Sequence, residues 1–236
     1  MPEIAAAFVE RYGLVVQAGP FEGMRYVDGA AGSSFVPKLV GSYEAELHPI
    51  LERVLASRYD VVVDIGAAEG YYAVGLALRL PSPLRVYAFD SNRRARGLLK
   101  EMARVNGVKD LVVIGGTCST VDLEACLRTG ARALVVSDCE GYELELLRLD
   151  VVPALRRAEL IVELHDHFAP GTSATVLGRF RATHEVTLVA TTRRDANAYP
   201  SVAFLDAAQQ RVALNEFRNG RQEWAFLTPL QPAGQA

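Results

Sequence analysis

The sequence predicts an α/β fold: a mostly parallel sheet with helices on both faces. Three observations carry this expectation. The chain has 236 residues, half of them hydrophobic, enough for a full core in one domain. Its middle holds five short runs of Val, Ile, Leu and aromatic residues with little polar alternation, the pattern of strands covered on both faces. Segments of crossover-helix length separate those runs and give the order βαβαβαβαβ.

Taken in order, Leu14–Ala18 and Met24–Val27 flank Gly-Pro-Phe-Glu-Gly, a turn composition that predicts a hairpin. Glu44–Ser57 reads as a helix, so residues 1–58 form an N-terminal hairpin and helix cap on a core of residues 59–230. The core strands are Asp60–Ile65, Leu84–Phe89, Leu111–Ile114, Ala131–Ser137 and Glu159–Leu164. Helices are expected at Tyr71–Arg79, Arg93–Asn106, Val121–Thr129 and Tyr142–Leu149. Ser173–Thr183 then reads as a helix and His184–Ala190 as a sixth strand. Ser201–Phe217 reads as a further helix, Glu223–Thr228 as a late strand, and Gln231–Ala236 as a frayed end.

Composition excludes several classes. With 25 Lys and Arg against 28 Asp and Glu, the chain lacks the dense basic face that grips nucleic acid. The clusters Arg93, Arg94, Arg96 and Arg193, Arg194 read as solvated faces. No signal peptide and no membrane span are read, and Cys118, Cys126 and Cys139 form no CxxC pair. A cytoplasmic protein with reduced thiols is expected.

The strongest local signal is Val61-Val-Val-Asp-Ile-Gly-Ala-Ala-Glu-Gly-Tyr-Tyr72, a strand, a small-residue loop and a helix start. Ligands of open α/β sheets sit beyond the carboxyl ends of strands, and Gly66, Ala67, Ala68 and Gly70 let the backbone approach one. A dinucleotide fingerprint needs glycines at 66, 68 and 71, where the chain has Gly66, Ala68 and Tyr71. The phosphate loop G-x-x-x-x-G-K-[ST] is absent too. S-adenosylmethionine has no pyrophosphate and suits such a loop. Its cationic groups favour the carboxylates of Asp64 and Glu69, and Asp90, ending the next strand, suits the ribose hydroxyls. Ser91 follows, and Gly115-Gly-Thr117-Cys118 at the third strand end would border the adenine.

At these residues the chain resembles the FkbM-type family of class I S-adenosylmethionine-dependent methyltransferases. The matching pieces are Gly41-Ser-Tyr-Glu44, Asp64-Ile-Gly-Ala-Ala-Glu-Gly-Tyr-Tyr72, Tyr87-Ala-Phe-Asp90, Asp138-Cys-Glu-Gly-Tyr-Glu143 and Glu163. The resemblance implies a Rossmann-like fold with a seventh, antiparallel strand, S-adenosylmethionine as donor, O-methylation, and Tyr43 and Glu44 folding over the cofactor. Where the family commonly has Gly-Ala-Asn-x-Gly, this chain has Gly66-Ala-Ala-Glu-Gly70, and Asp90 stands where Glu is frequent.

Methyl transfer to an alcohol needs in-line positioning and loss of the hydroxyl proton, to a base or through a metal. The fourth strand delivers Asp138, which also borders the cofactor, and the fifth delivers Glu163-Leu-His165-Asp166. Asp138, Glu163 and Asp166 would offer oxygen ligands to Mg²⁺. Without metal, Asp138 or His165 would serve as base. In a purely structural reading, Glu163 pairs with an arginine and His165 and Asp166 cap one another. Glu140 and Glu143 are expected to orient the loop or cap the next helix, His48 to be structural, His184 to cap a helix, and Trp224 to pack the last strand. The acceptor is expected to be a small sugar-like or secondary-metabolite hydroxyl, with no nucleic acid or membrane partner and a homodimer left open. The competing reading is a non-catalytic scaffold that keeps the fold. A nicotinamide oxidoreductase is disfavoured by the missing glycine, and N-methylation stays open although no Asn-Pro-Pro-Tyr motif follows the fourth strand.

Overall fold

The computed structural model describes residues 2–81, 84–218 and 222–230. Ahead of the sheet come α1 (Pro2–Tyr12), α2 (Phe35–Val40) and α3 (His48–Leu55). The first half of the sheet then alternates strand and helix as β1 (Val61–Ile65), α4 (Tyr71–Arg79), β2 (Arg85–Phe89), α5 (Arg93–Val105), β3 (Val112–Gly115) and α6 (Thr120–Leu127). The second half runs β4 (Ala133–Ser137), α7 (Glu143–Leu146), β5 (Glu159–Leu164), α8 (Thr172–Phe180), β6 (His184–Ala190), α9 (Ala207–Ala213) and β7 (Glu223–Pro229).

The seven strands lie in the order β3-β2-β1-β4-β5-β7-β6. The first five are parallel, and β7 runs antiparallel between β5 and β6. The order reverses between β1 and β4, which leaves a crevice beyond their carboxyl ends. Strand residues alternate between two cores. Val62, Leu134, Val136, Ile161 and Trp224 face one, which takes in α1 to α5. Val61, Val63, Val135, Leu160 and Ala225 face the other, with α6, α7 and α8. Helices therefore cover both faces. By the same alternation Asp64 and Glu163 point towards the N-terminal segment.

Four expected elements differ from the observed ones. The helix expected over Tyr142–Leu149 is one turn, because Leu147 leaves the helical region (φ −85°, ψ 66°) to bury its side chain, and Pro153 opens a separate turn. The helix expected over Ser201–Phe217 is split. Asp206 accepts hydrogen bonds from the Ala208 and Gln209 amides, and such a capping box starts a helix rather than continuing one. Glu44–Ser57 becomes a tight turn at Ala45–Leu47 followed by α3, with Pro49 in the first turn where proline is tolerated. The hairpin is reduced to one antiparallel bridge, Val15 with Arg25. Helices α1 and α2 were not expected; α1 buries Ile4 and Phe8. The expected frayed end, Gln231–Ala236, lies outside the described residues. Among the described residues no helix is long and apolar enough to cross a membrane.

Candidate active site

A cavity of about 620 Å³ opens in the β1/β4 crevice. One of its walls is the loop after β1. Gly66 has φ +83°, and a Cβ there would meet the Asp138 carbonyl oxygen at 1.6 Å, so only glycine lets the two strand ends close up. The Gly66 and Ala67 amides donate to the Phe89 carbonyl at 2.9 and 3.0 Å. Asp90 accepts from the Ala68 amide (2.8 Å) through one oxygen and from the Asn92 amide (2.7 Å) through the other. Its carboxylate therefore ties the β1 and β2 loops together at the cavity edge. Gly66, Ala67, Ala68, Asp90, Ser91, Thr117, Cys118 and Asp138 all line the cavity.

Four residues expected at the cofactor stand behind that wall instead. Gly70, at φ +97°, precedes α4 and packs against Leu99. Glu69 is fully buried and accepts from Lys38 Nζ at 2.6 Å, the Ala31 amide at 2.9 Å and the Tyr26 hydroxyl. Burial would raise its pKa, but Lys38 and these hydrogen bonds hold it below the usual carboxylate range. Glu69 thus anchors the N-terminal segment to the loop, through a lysine far away in sequence. Asp64 is buried, with one oxygen unpartnered; burial, and then the nearby Asp138 charge, pushes its pKa up to about 7. Glu44 is buried against the Tyr72 hydroxyl and Arg218, and burial pushes it up to about 8. Tyr43 beside it does line the cavity.

At the other end, β4 and β5 bring Asp138, Glu163 and His165 together. His165 Nδ1 lies 2.8 Å from Glu143 Oε1, and Nε2 lies 3.4 Å from Asp138 Oδ1 and 3.5 Å from Glu163 Oε2. Burial alone would lower the imidazole's pKa. The nearby Asp138 and Glu163 carboxylates and the hydrogen bond to Glu143 overcome that and push it up to about 12. The imidazole expected as a base thus sits among three carboxylates that favour its protonated form. Burial, then the Asp138 charge, raises Glu163 to about 7. Asp138, 31 % exposed, is held below its usual value; burial opposes this, and the hydrogen bond with His165 prevails.

Asp166 is absent from this group. Its carboxylate accepts from the Gly171 amide at 3.0 Å and from the Ser173 amide and hydroxyl, because the chain turns away after β5 and needs an acceptor at the start of α8. Among the described residues, Asp138, Glu163 and His165 bring ligand atoms within 4.8 Å of one another. This set does not fit Mg²⁺, which is bound through oxygen. One donor is an imidazole nitrogen, and Glu163 is already paired with Arg218 Nη1 at 2.7 Å. The pairing of Glu163 with an arginine is the one expected of a structural cluster, whereas Asp166 turns to Gly171 and Ser173 rather than capping His165.

Sequence reasoning missed Lys38, Glu216, Arg218 and the cavity aromatics Tyr142, Phe168 and Phe217. Arg218 Nε binds Glu216 at 2.8 Å and its Nη atoms bind Glu163 and Glu44. The expectation of an unbroken helix to Phe217 hid this extended segment, although Asn215 and Asn219-Gly220 were turn signals. Arg194, expected on a solvated face, is 6 % exposed and pairs with Glu46 and Glu216 at 2.6 and 2.5 Å. His184 opens β6, and its Nε2 lies 3.0 Å from the carbonyl of Ala158, the residue that caps the C-terminus of the turn Pro153–Arg157. Trp224 is fully buried in the core, and His48 opens α3 against Gly19.

No family model and no curated protein matches the sequence. Solved structures do. A putative O-methyltransferase from Klebsiella pneumoniae matches with a TM-score of 0.52 at 13 % identity, over 79 % of this chain and 80 % of that one. A precorrin-6y C5,15-methyltransferase from Geobacter metallireducens matches at 0.51 and 14 % identity, over 76 % and 86 %. An rRNA methylase from Streptococcus thermophilus matches at 0.50 and 16 % identity, over 79 % and 97 %. The fold is the Rossmann-like α/β fold of class I methyltransferases.

Proposed function

We propose that the protein is an S-adenosylmethionine-dependent methyltransferase that methylates a hydroxyl of a small acceptor, in the manner of the FkbM-type family its motifs resemble. The observation that carries this reading is the composition of one cavity. Its β1/β2 end is a small-residue loop tied by Asp90, and its β4/β5 end is the cluster of Asp138, Glu163 and His165.

The donor would be held by the Gly66–Ala68 backbone, Asp90, Ser91, Thr117 and Cys118, and when bound it supplies an electrophilic methyl group on a cationic sulfur. The rest is the work of the chain's own residues. Asp138, the most exposed acid of the cluster, accepts the acceptor's hydroxyl proton at its carboxylate. Imidazolium His165 fixes that carboxylate, and Glu143 fixes the imidazolium from behind. Glu163, poised near neutrality, gives the cluster capacity for the incoming proton, so the group titrates as a unit. Arg218 neutralises the surrounding acids and keeps the pocket from repelling the developing oxyanion.

Calorimetric titration with S-adenosylmethionine and S-adenosylhomocysteine, with and without Mg²⁺, tests the reading. Micromolar affinity indifferent to Mg²⁺ is expected, falling at least about tenfold in Asp90→Ala, which loses the tie to Ala68 and its own carboxylate. Folded protein that binds neither compound would sink the methyltransferase reading and favour the scaffold.

A further inference from the structure

The chain holds nineteen Phe, Tyr and Trp residues, and most are buried or half-buried. Among the described residues three are exposed: Tyr142 (41 %), Phe168 (57 %) and Phe217 (53 %). All three line the one cavity that also holds Asp138 and His165. Exposing an aromatic ring forfeits about 1.5 to 3 kcal/mol of burial. An exposed apolar group carries information when it is clustered rather than scattered.

The rim is also built to hold these rings in position. A Cβ on Gly141 would meet Ala169 Cβ at 3.2 Å and lie 3.8 Å from Phe168 Cβ, so the loops bearing Tyr142 and Phe168 pack on each other. The His167 ring stacks obliquely on Phe168 with centroids 4.2 Å apart. Phe217 is flanked by two anchored residues. Glu216 accepts from the Glu44 amide at 3.0 Å and from Arg194, and Arg218 binds Glu163 and Glu44. With both neighbours tied inward, Phe217 is forced outward at φ +56°, a conformation costly for a bulky residue. The chain has four non-glycine residues at positive φ among those described. Ala68, Glu140 and Phe217 line this cavity, and Glu44 holds Arg218. Strain concentrated at one mouth points to a ligand that the mouth serves.

Resting on the methyltransferase reading, we propose that the acceptor is a phenol, its aromatic ring gripped by Tyr142, Phe168 and Phe217 while its hydroxyl reaches Asp138. Ring stacking holds a flat molecule on its apolar faces. A saturated ring presents no π face to these three rings, so a flat acceptor and its saturated counterpart separate ring stacking from simple apolar contact.

The test is calorimetric binding of naphthol, matched saturated decalinol and a methyl glycoside to the full chain, with and without S-adenosylhomocysteine. Naphthol is expected to bind at least about tenfold tighter than decalinol, with no measurable glycoside binding. Phe168→Ala and Phe217→Gly should each weaken naphthol at least about fivefold and leave S-adenosylhomocysteine affinity within twofold. Glycine at 217 removes the backbone strain, so thermal stability should hold or rise as naphthol affinity falls; a merely structural Phe217 would lose stability. Equal binding of naphthol and decalinol, glycoside preference, or unaffected variants would overturn the phenol assignment. Failure of S-adenosylhomocysteine binding alone would instead count against the donor, because the naphthol arm is also read without it.

Discussion

Asp138→Asn is expected to lower kcat for methyl transfer by about 10²- to 10⁴-fold, the range a positioned general base supplies. The amide keeps the size of the carboxylate and the backbone bond from the Asp138 amide to Ile65, so the fold and the donor's affinity should change little. KM for the acceptor should stay within a few-fold, which separates proton acceptance from simple binding. The measurement is transfer of a radiolabelled methyl group, with dissociation constants taken in parallel. A variant that keeps kcat would remove Asp138 from the chemistry. His165 gives an internal check. With one of its three carboxylates lost, its pKa should fall from about 12, followed by the pH dependence of its ring-proton NMR signals.

Arg218→Ala should cost about 3 to 5 kcal/mol in stability at pH 8, because it leaves Glu44, Glu163 and Glu216 buried without their shared cation. For a chain of this length that is a fall in Tm of roughly 6 to 20 °C. The loss has a signed pH dependence. Glu44 and Glu163 already titrate in the folded state near 8 and 7, above the usual 4.5, and removing Arg218 raises them further. Groups with raised folded pKa values favour the folded state at low pH, and that advantage is lost as pH rises through those values. The gap between variant and parent should therefore narrow from pH 8 towards pH 5, read by thermal melts across that window. A gap constant with pH would mean that Arg218 contributes packing rather than charge.

The sheet was legible because its strands carry their own signal. Val61–Ile65 and Glu159–Leu164 are apolar runs bounded by loop residues, and their ends fix where Asp64, Asp90, Asp138 and Glu163 arrive. The site's inner logic was not legible, since it depends on partners far apart in sequence. Nothing local to Glu69 announces Lys38, and nothing local to Glu163 announces Arg218. Asp166 was drawn into the ligand set by its nearness to Glu163, whereas one further turn of chain commits it to α8. His165 looked like an ordinary imidazole because sequence gives a histidine its usual pKa, and only the three surrounding carboxylates change it. The segment 214–218 was lost to a helical pattern that Asp206 interrupts.

The mouth joins distant stretches of chain: Ser34 Oγ donates to the Glu216 carbonyl at 2.8 Å, and the Glu44 amide donates to the Glu216 side chain at 3.0 Å. On a ribosome adding roughly 5 to 20 residues per second, Ser34 and Glu44 emerge roughly 10 to 35 seconds before Glu216 can reach them. The parallel strands can pair during that interval, and the loop after β1 can form with them. The side of the cavity built around Glu216 must wait, so nascent chains acquire their sheet before they acquire a finished mouth.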